Sequence, residues 1–197
     1  MFYQKKKLIK QQKYAIKHLH MYTTQSIYTK TALKAIQEYL QNGSTKNIKN
    51  QIVPKSLLKK AACFVTLKTD MNKLRGCIGT LTPVYKNLYF EIIENAIASA
   101  VRDYRFNPLT PEELEKIKIS VEVLYPPEKI NNISQLNPKK YGAIITDNNG
   151  RKGVLLPNIE GIDTIEEQIK IIKRKAGITQ KSNNGLIFHR FKTDKFY

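Results

Sequence analysis

An apolar or aromatic residue occupies every second position from Ile117 to Tyr125, which is the pattern of a β-strand with one buried face. Residues 62–68 alternate in the same way, and a turn at Asp70-Met71-Asn72 leads into a second predicted strand at 74–81. A connection that short joins antiparallel strands, because parallel strands need a long crossover. The chain is therefore expected to contain antiparallel hairpins rather than a strict repeat of β-α-β units.

Helical periodicity and capping residues predict four helices among these strands. The longest helix is expected to open at Pro83, and the last one to open at Asp163 with a capping-box-like Glu166. Asn149-Gly150 between two apolar segments is a hairpin signal. The predicted helices cover 31–40, 83–107, 111–114 and 163–176, and the further strands cover 142–147, 153–156 and 186–191. The expected fold class is α+β, an antiparallel or mixed β-sheet with helices packed on it.

Positive charge is concentrated at the N-terminus. The formal net charge is +18, and residues 1–60 hold thirteen lysines and a single acid, Glu38. We interpret residues 1–25 as a basic N-terminal arm that precedes one domain over 26–197. Such an arm fits a nucleic-acid- or ribosome-binding module, since phosphate neutralisation supplies affinity without sequence specificity. The other interpretation is a solvated surface in a chain that uses 28 lysines and only 6 arginines, as AT-rich genomes favour.

The short apolar segments and the small number of cysteines indicate where in the cell the protein is expected. The unbroken apolar segments are only a few residues long, so no helix is expected to span a membrane. The N-terminal residues lack the apolar stretch of a secretory signal. Two cysteines, Cys63 and Cys77, cannot form a disulfide framework and fit a reducing environment. We therefore expect a cytoplasmic protein.

The hexapeptide Leu74–Gly79 places a guanidinium and a thiol on either side of one glycine. An arginine beside Cys77 favours the thiolate, which is the nucleophilic form, and Arg75 can also hold an anion with two hydrogen bonds. Because glycine is used where φ is positive, we expect a tight turn around Gly76 and Gly79. The N–H groups of such a turn, with that of Ile78, would form an anion-binding nest or an oxyanion hole.

Each of these residues also has a structural interpretation. Cys77 is either a nucleophile or a small buried hydrophobe, and the only histidine outside the arm to serve as its base is His189. Asp103 and Arg105 either complete the pocket beside Arg75 or pair with each other at the helix end. Glu122 alternates onto the face opposite the apolar residues and is expected to be exposed.

No metal ligand set or cofactor motif is present in the sequence. Cys63 and Cys77 lack the spacing of a zinc site, and there is no cysteine triad for an iron–sulfur cluster. Neither a P-loop nor a dinucleotide-binding glycine motif appears. We therefore expect no resident metal and no cofactor.

Nine blocks in order, the hexapeptide among them, resemble one family. They are Phe64–Leu67, Leu74–Gly79, Asn95-Ala96, Asp103–Leu109, Val121–Leu124, Tyr141-Gly142, Leu155–Pro157, Glu160–Thr164 and Lys175–Ile178. The chain resembles the AMMECR-one domain family over about residues 28–193, and most closely its bacterial members, system protein A of the AmmeMemoRadiSam cassettes. It departs from the family at Tyr104, where proline is usual, and at Asn158, where bacterial relatives often carry aspartate.

The resemblance implies an α+β domain of two unequal subdomains sharing a cleft, with the hexapeptide near that cleft. It also implies a Memo-type protein and a radical-SAM enzyme as partners, while the activity of the family itself is not established. The expected function is that of an accessory protein or enzyme acting on an anionic or carbonyl-bearing small substrate. Arg75 would orient this substrate, Gly76 and Gly79 would bind its anion, and Cys77 would attack or ligate it.

Overall fold

The computed structural model describes residues 26–197, so the predicted basic arm, residues 1–25, lies outside the described part of the chain. The α-helices of the described part are α1 Ile27–Asn42, α2 Lys46–Lys49, α3 Leu88–Val101, α4 Pro111–Leu114 and α5 Ile165–Lys175. The strands are β1 Cys63–Lys68, β2 Leu74–Gly79, β3 Lys118–Leu124, β4 Glu128–Ile130, β5 Gly142–Thr146, β6 Lys152–Leu155, β7 Ile187–Phe191 and β8 Thr193–Phe196. Short 3₁₀ turns lie at Lys55–Leu57 and Ile133–Gln135.

Two four-stranded sheets confirm the predicted α+β class. The first sheet has the order β2-β1-β3-β8 and the second the order β4-β7-β5-β6. Each pair among β1/β2, β4/β7, β5/β6 and β5/β7 is antiparallel. The chain divides into two compact units, of which the first runs to Val121 and includes Phe196 and Tyr197, and the second is Glu122–Lys195.

Helix α3 packs against the β1/β2 hairpin in the first unit. The inward residues of β1, Cys63, Val65 and Leu67, are fully buried, as their alternation predicts. A Cβ atom at Gly76 would lie 2.1 Å from the Ser99 carbonyl oxygen of α3, so only glycine fits there. The helix therefore lies in backbone contact with the second strand of the hairpin.

The hexapeptide is a strand with one shift of register, at Arg75, so the predicted tight turn is wrong. Neither Gly76 nor Gly79 has positive φ, and the turn of the hairpin lies at residues 69–73. Glycine is required at both positions by close approach rather than by backbone conformation. At Gly79 a Cβ would lie 2.3 Å from Cγ of Phe64, whose ring occupies that space.

Helix α3 begins at Leu88, five residues after the predicted start at Pro83, and α1 rather than α3 is the longest described helix. The side chain of Asn87 caps the first turn of α3 by accepting a hydrogen bond from the Phe90 N–H. The segment before the cap is a loop held by the buried Glu91, whose carboxylate accepts from the Thr80 hydroxyl and from the N–H groups of Val84 and Tyr85. These bonds to a helical side chain keep the segment out of the helix.

In the second unit, α5 packs on the β5/β6 hairpin, and Ile145, Ile172 and Phe188 lie in the core between the sheet and the helix. The capping box of α5 is Thr164 with Glu167, one residue beyond the predicted pair. Gly177 follows the helix with φ +66°, the left-handed conformation that glycine supplies after the last turn of a helix. The Asn148–Gly150 turn between β5 and β6 is as predicted, with Gly150 at φ +78°.

Three features of this part of the chain differ from expectation. Strands β4 and β8 were not predicted, because each is only three or four residues long and mostly polar. Glu122 is buried at 5% exposure, so its predicted exposure is wrong. Its carboxylate accepts from the Thr193 hydroxyl at 2.7 Å and lies 3.6 Å from Lys195 Nζ, both on β8, which compensates its burial.

We expect Gly76→Ala to lower the free energy of unfolding by roughly 1–3 kcal/mol, because the added methyl group meets a backbone carbonyl that cannot rotate away. Urea denaturation measures this change. Lys68→Ala, at an exposed position of the same hairpin, is the control and should change stability by less than about 0.5 kcal/mol. Equal stability of the two variants would show that α3 does not approach the strand this closely.

Candidate functional site

The thiol of Cys77 lies on the face of the hairpin opposite α3. Its strand partner Thr66 shares that face, and the Thr66 hydroxyl lies 3.3 Å from the Cys77 sulfur. Cys77 is half-buried, whereas Cys63 is fully buried beneath α3. Burial raises the pKa of the Cys63 thiol to about 12, so this cysteine is inert at neutral pH. The reactive candidate is therefore Cys77.

Asp103, just beyond the end of α3, binds the backbone of the strand. Its Oδ2 accepts from the Cys77 N–H at 2.9 Å, and its side chain is 1% exposed. The guanidinium of Arg105 donates to both carboxylate oxygens, from Nε at 2.8 Å and from Nη2 at 2.6 Å. Arg105 Nη2 also lies 3.3 Å from the Cys77 carbonyl oxygen. Asp103 and Arg105 thus contact both backbone polar groups of Cys77.

The electrostatics of this pair follow from its hydrogen bonds. The Arg105 guanidinium and the Cys77 N–H lower the pKa of the Asp103 carboxyl to about 2, against the opposing effect of burial. Asp103 in turn raises the pKa of Arg105. The carboxylate is therefore charged at any physiological pH, and the Arg105 side chain, 42% exposed, presents a fixed cation beside the thiol strand.

Arg75 is directed to α4 rather than to the thiol. Its Nε and Nη2 each donate to one oxygen of Glu113 at 3.0 Å, and Nη2 also donates to the Asn107 carbonyl. The Arg75 side chain is 13% exposed, and its Nη1 is buried without a hydrogen-bond partner among residues 26–197. Phe106 lies near both guanidinium groups, with its ring centre 5.8 Å from Arg75 Cζ and 5.5 Å from Arg105 Cζ.

The structure brings Cys77, Asp103 and Arg105 together, while Arg75 pairs with Glu113. Of the alternatives for Asp103 and Arg105, their mutual pairing is observed, and it lies at the thiol strand. The predicted anion nest is wrong in one respect, because the N–H of Cys77 already donates to Asp103 and that of Ile78 donates to Ser99 Oγ at 2.9 Å. Because both N–H groups already have acceptors, the group that can bind an anion at this strand is the guanidinium of Arg105.

Sequence patterns did not predict that Ser99 and Thr66 belong to the site. Ser99 belongs to a polar row with Asn95 and Asp103, at four-residue spacing, that faces the hairpin. The amide of Asn95 donates to the Cys63 carbonyl at 3.1 Å, and the Ser99 hydroxyl lies 2.7 Å from the Val65 carbonyl oxygen. Three polar residues at this spacing within an otherwise apolar helix face are the sequence signal that indicates the role of Ser99.

His189, the predicted candidate base, and Lys175, from the last sequence block of the resemblance, both lie in the second unit. His189 is half-buried on β7, and burial together with Lys129 and Lys152 lowers its pKa. Lys175, in the last turn of α5, donates to the Val154 carbonyl at 3.0 Å. Across residues 26–197 no group of three or more histidine, cysteine, aspartate or glutamate side chains is placed to hold a metal ion. None of the helices in that range has the length and apolarity to cross a membrane.

Comparison with known proteins identifies the family. The family model described as AMMECR1 matches residues 29–196. The chain belongs to the AMMECR1 family. This match confirms the resemblance that the ordered sequence blocks indicate.

Relatives support the assignment along most of the chain. A protein of Thermotoga maritima is 45% identical over 170 residues, which are 86% of this chain and 96% of that protein. Protein CA_C1420 of Clostridium acetobutylicum is 42% identical over 77% of this chain, but the match covers only 32% of its own length. The crystal structure of the uncharacterized protein PH0010 from Pyrococcus horikoshii has a TM-score of 0.73 at 30% identity, covering 85% of this chain and 88% of that one.

We expect Asp103 to make stability depend on pH. Its folded-state pKa of about 2 lies below the ordinary value, so its charge stabilises the fold above about pH 4 and this contribution is lost as pH falls through 2. The contribution is about 2 kcal/mol at neutral pH. Urea titrations should therefore show that the deficit of Asp103→Asn relative to the parent shrinks from pH 7 to pH 2. Asp163→Asn is the control, because that carboxylate is 67% exposed, and a deficit of Asp103→Asn that is independent of pH would contradict the assignment.

Proposed function

We propose that this protein binds an anionic or carbonyl-bearing small substrate on the outer face of the β1/β2 hairpin. Cys77 is the group that attacks or ligates the substrate, and Arg105 is the cation that holds its negative charge. The protein acts as an accessory protein or enzyme, with a Memo-type protein and a radical-SAM enzyme as the partners that the family resemblance implies. Arg75 serves a positioning role, because it ties the strand to the start of α4.

A single observation carries this proposal: a half-buried thiol lies beside a half-exposed guanidinium whose position is set by a buried carboxylate. Asp103 uses both oxygens on Arg105 and one of them also on the Cys77 N–H, so the cation and the thiol strand keep a common geometry. A guanidinium that is fixed in advance binds an anion without the cost of ordering a flexible side chain.

The same arrangement suits addition to a carbonyl group. When the Cys77 thiolate forms a bond to a carbonyl carbon, the carbon–oxygen π pair moves to the oxygen, which becomes an anion. Arg105 is the group placed to stabilise that charge, in the way that fixed donors stabilise oxyanions in acyl transfer. The hydroxyl of Thr66, 3.3 Å from the sulfur, is the polar neighbour that exchanges a hydrogen bond with it.

Alkylation rates test the proposed pairing of thiol and cation in the unmodified protein. We expect Cys77 to react at least tenfold faster than Cys63, as measured by peptide mass mapping, since burial and a raised pKa protect Cys63. The rate with anionic iodoacetate relative to neutral iodoacetamide should fall about threefold to tenfold in Arg105→Gln, because the attracting charge is removed. Arg102→Gln, an exposed arginine three residues earlier, should leave the ratio unchanged.

Cys77→Ser separates a functional cysteine from a structural one. This change should remove the fast alkylation and leave only the slow reaction of Cys63. It should leave the thermal midpoint within a few degrees, because the side chain is half-buried and the two residues are similar in size. A ratio of rates that does not change in Arg105→Gln would contradict the role of the cation. A large loss of thermal stability in Cys77→Ser would show that the thiol is part of the packing.

The partners are tested separately by co-purification. We expect the chain to be retained by an immobilised Memo-type protein or radical-SAM enzyme from the same genome, in the presence of reductant to exclude mixed disulfides. A matrix that carries an unrelated protein is the control for non-specific retention. If neither immobilised protein retains the chain, the proposed partnership is contradicted, while the proposed substrate site is not.

A further inference from the structure

A second candidate site lies wholly within the second unit, along helix α5. A hollow of about 430 Å³ opens between this helix and residues 178–183. Its floor is apolar and contains Ile133, Ile169 and Ile178, of which the last two are buried. None of its lining residues belongs to the β1/β2 hairpin, so the site is distinct from the one described above.

Exposed cations surround this floor. Lys170, Arg174 and Lys181 line the hollow and are exposed, while Glu166 is its one acidic lining residue. Glu166, Lys170 and Arg174 follow each other at four-residue spacing, so they lie on one face of α5. Within residues 26–197 none of the three cations forms an ion pair. Their charge is therefore available to a ligand.

Lys173 adds a buried positive charge to the wall of the hollow. It is 8% exposed, and its ammonium group donates to the carbonyl oxygens of Gln180, Lys181 and Ser182 at 3.3, 3.2 and 2.9 Å. These three bonds fix the loop that forms the wall. The ammonium has carbonyl partners but no carboxylate within ion-pair distance in the described chain, and burial lowers its pKa. An anion in the hollow would balance this charge.

We propose that the hollow binds a free amphiphilic anion, an acyl or similar apolar chain that carries a carboxylate. The chain lies on the isoleucine floor, and the carboxylate lies between Lys170, Arg174 and Lys181. The volume is within the range of small-molecule sites, and such sites combine an apolar lining with a few charged groups that orient the ligand. The protein's own N-terminal arm is excluded as the occupant by its charge, since residues 1–25 are rich in lysine and contain no acid.

Calorimetric titration with decanoate tests this proposal directly. We expect saturable binding at one site, with decanol and decyltrimethylammonium binding at least tenfold more weakly, because they lack the negative charge. The double variant Lys170→Gln with Arg174→Gln should weaken decanoate binding about tenfold and leave the fold intact, since both side chains are exposed. The matched control is Lys152→Gln with Lys192→Gln, which removes the same charge elsewhere in the unit and should not change the affinity.

Two further measurements complete the test. Ile133→Glu places an acid at the edge of the floor, where the parent side chain is 37% exposed, and should abolish decanoate binding without unfolding the unit. Equal affinity for decanoate in the two double variants would overturn the proposal, as would equal binding of the three ten-carbon probes. Binding of an acidic peptide or of anionic vesicles without binding of decanoate would also overturn it, because the surface would then serve a macromolecule or a membrane.

Discussion

Helix α3 and strand β2 approach so closely at Gly76 that no side chain fits between them, and the candidate site depends on this approach. With the helix backbone against the strand, Ser99 reaches the Ile78 N–H, and Asp103, one turn further, reaches the Cys77 N–H. Successive N–H groups of a strand point to opposite edges, and Ser99 Oγ, which also contacts the Val65 carbonyl oxygen, lies between the paired residues Ile78 and Val65. The Cys77 N–H therefore faces the outer edge of β2, which ends its sheet, and would be unpaired without Asp103. Because Asp103 also holds Arg105, a packing contact places the cation beside the thiol.

Local patterns predicted most of the fold, and long-range pairing explains what they missed. The alternation in β1 and β3 is a property of neighbouring residues, and β1, β3 and α4 form close to where they were expected. Helix α1 begins four residues before its predicted start at residue 31. The direction of Arg75 is different, because its partner Glu113 is 38 residues away and no local rule joins them. The hexapeptide therefore predicted which strand carries the candidate site. It did not predict the long-range contacts of that strand, such as those with Asp103 and Glu113.

The two candidate sites differ in how their positive charges are compensated. In the first, each arginine of the candidate site has a carboxylate partner, Asp103 for Arg105 and Glu113 for Arg75, so its geometry is set before any ligand arrives. In the second, the cations along one face of α5 have no such partner within the described residues, and Lys173 is held by carbonyl groups alone. Paired arginines favour fixed recognition of a small group, while cations without a carboxylate partner favour accumulation of anions.

Phe64 and Gly79 face each other across the hairpin, and one aromatic ring occupies the volume of two side chains. A Cβ atom at position 79 would meet this ring and would also lie 2.6 Å from the Cys63 carbonyl oxygen. A smaller residue at position 64 therefore relieves only part of the clash, and substitutions at the two positions are expected to show a coupling energy rather than to add. The steric constraint on the hexapeptide thus extends to β1, which lies outside it in sequence.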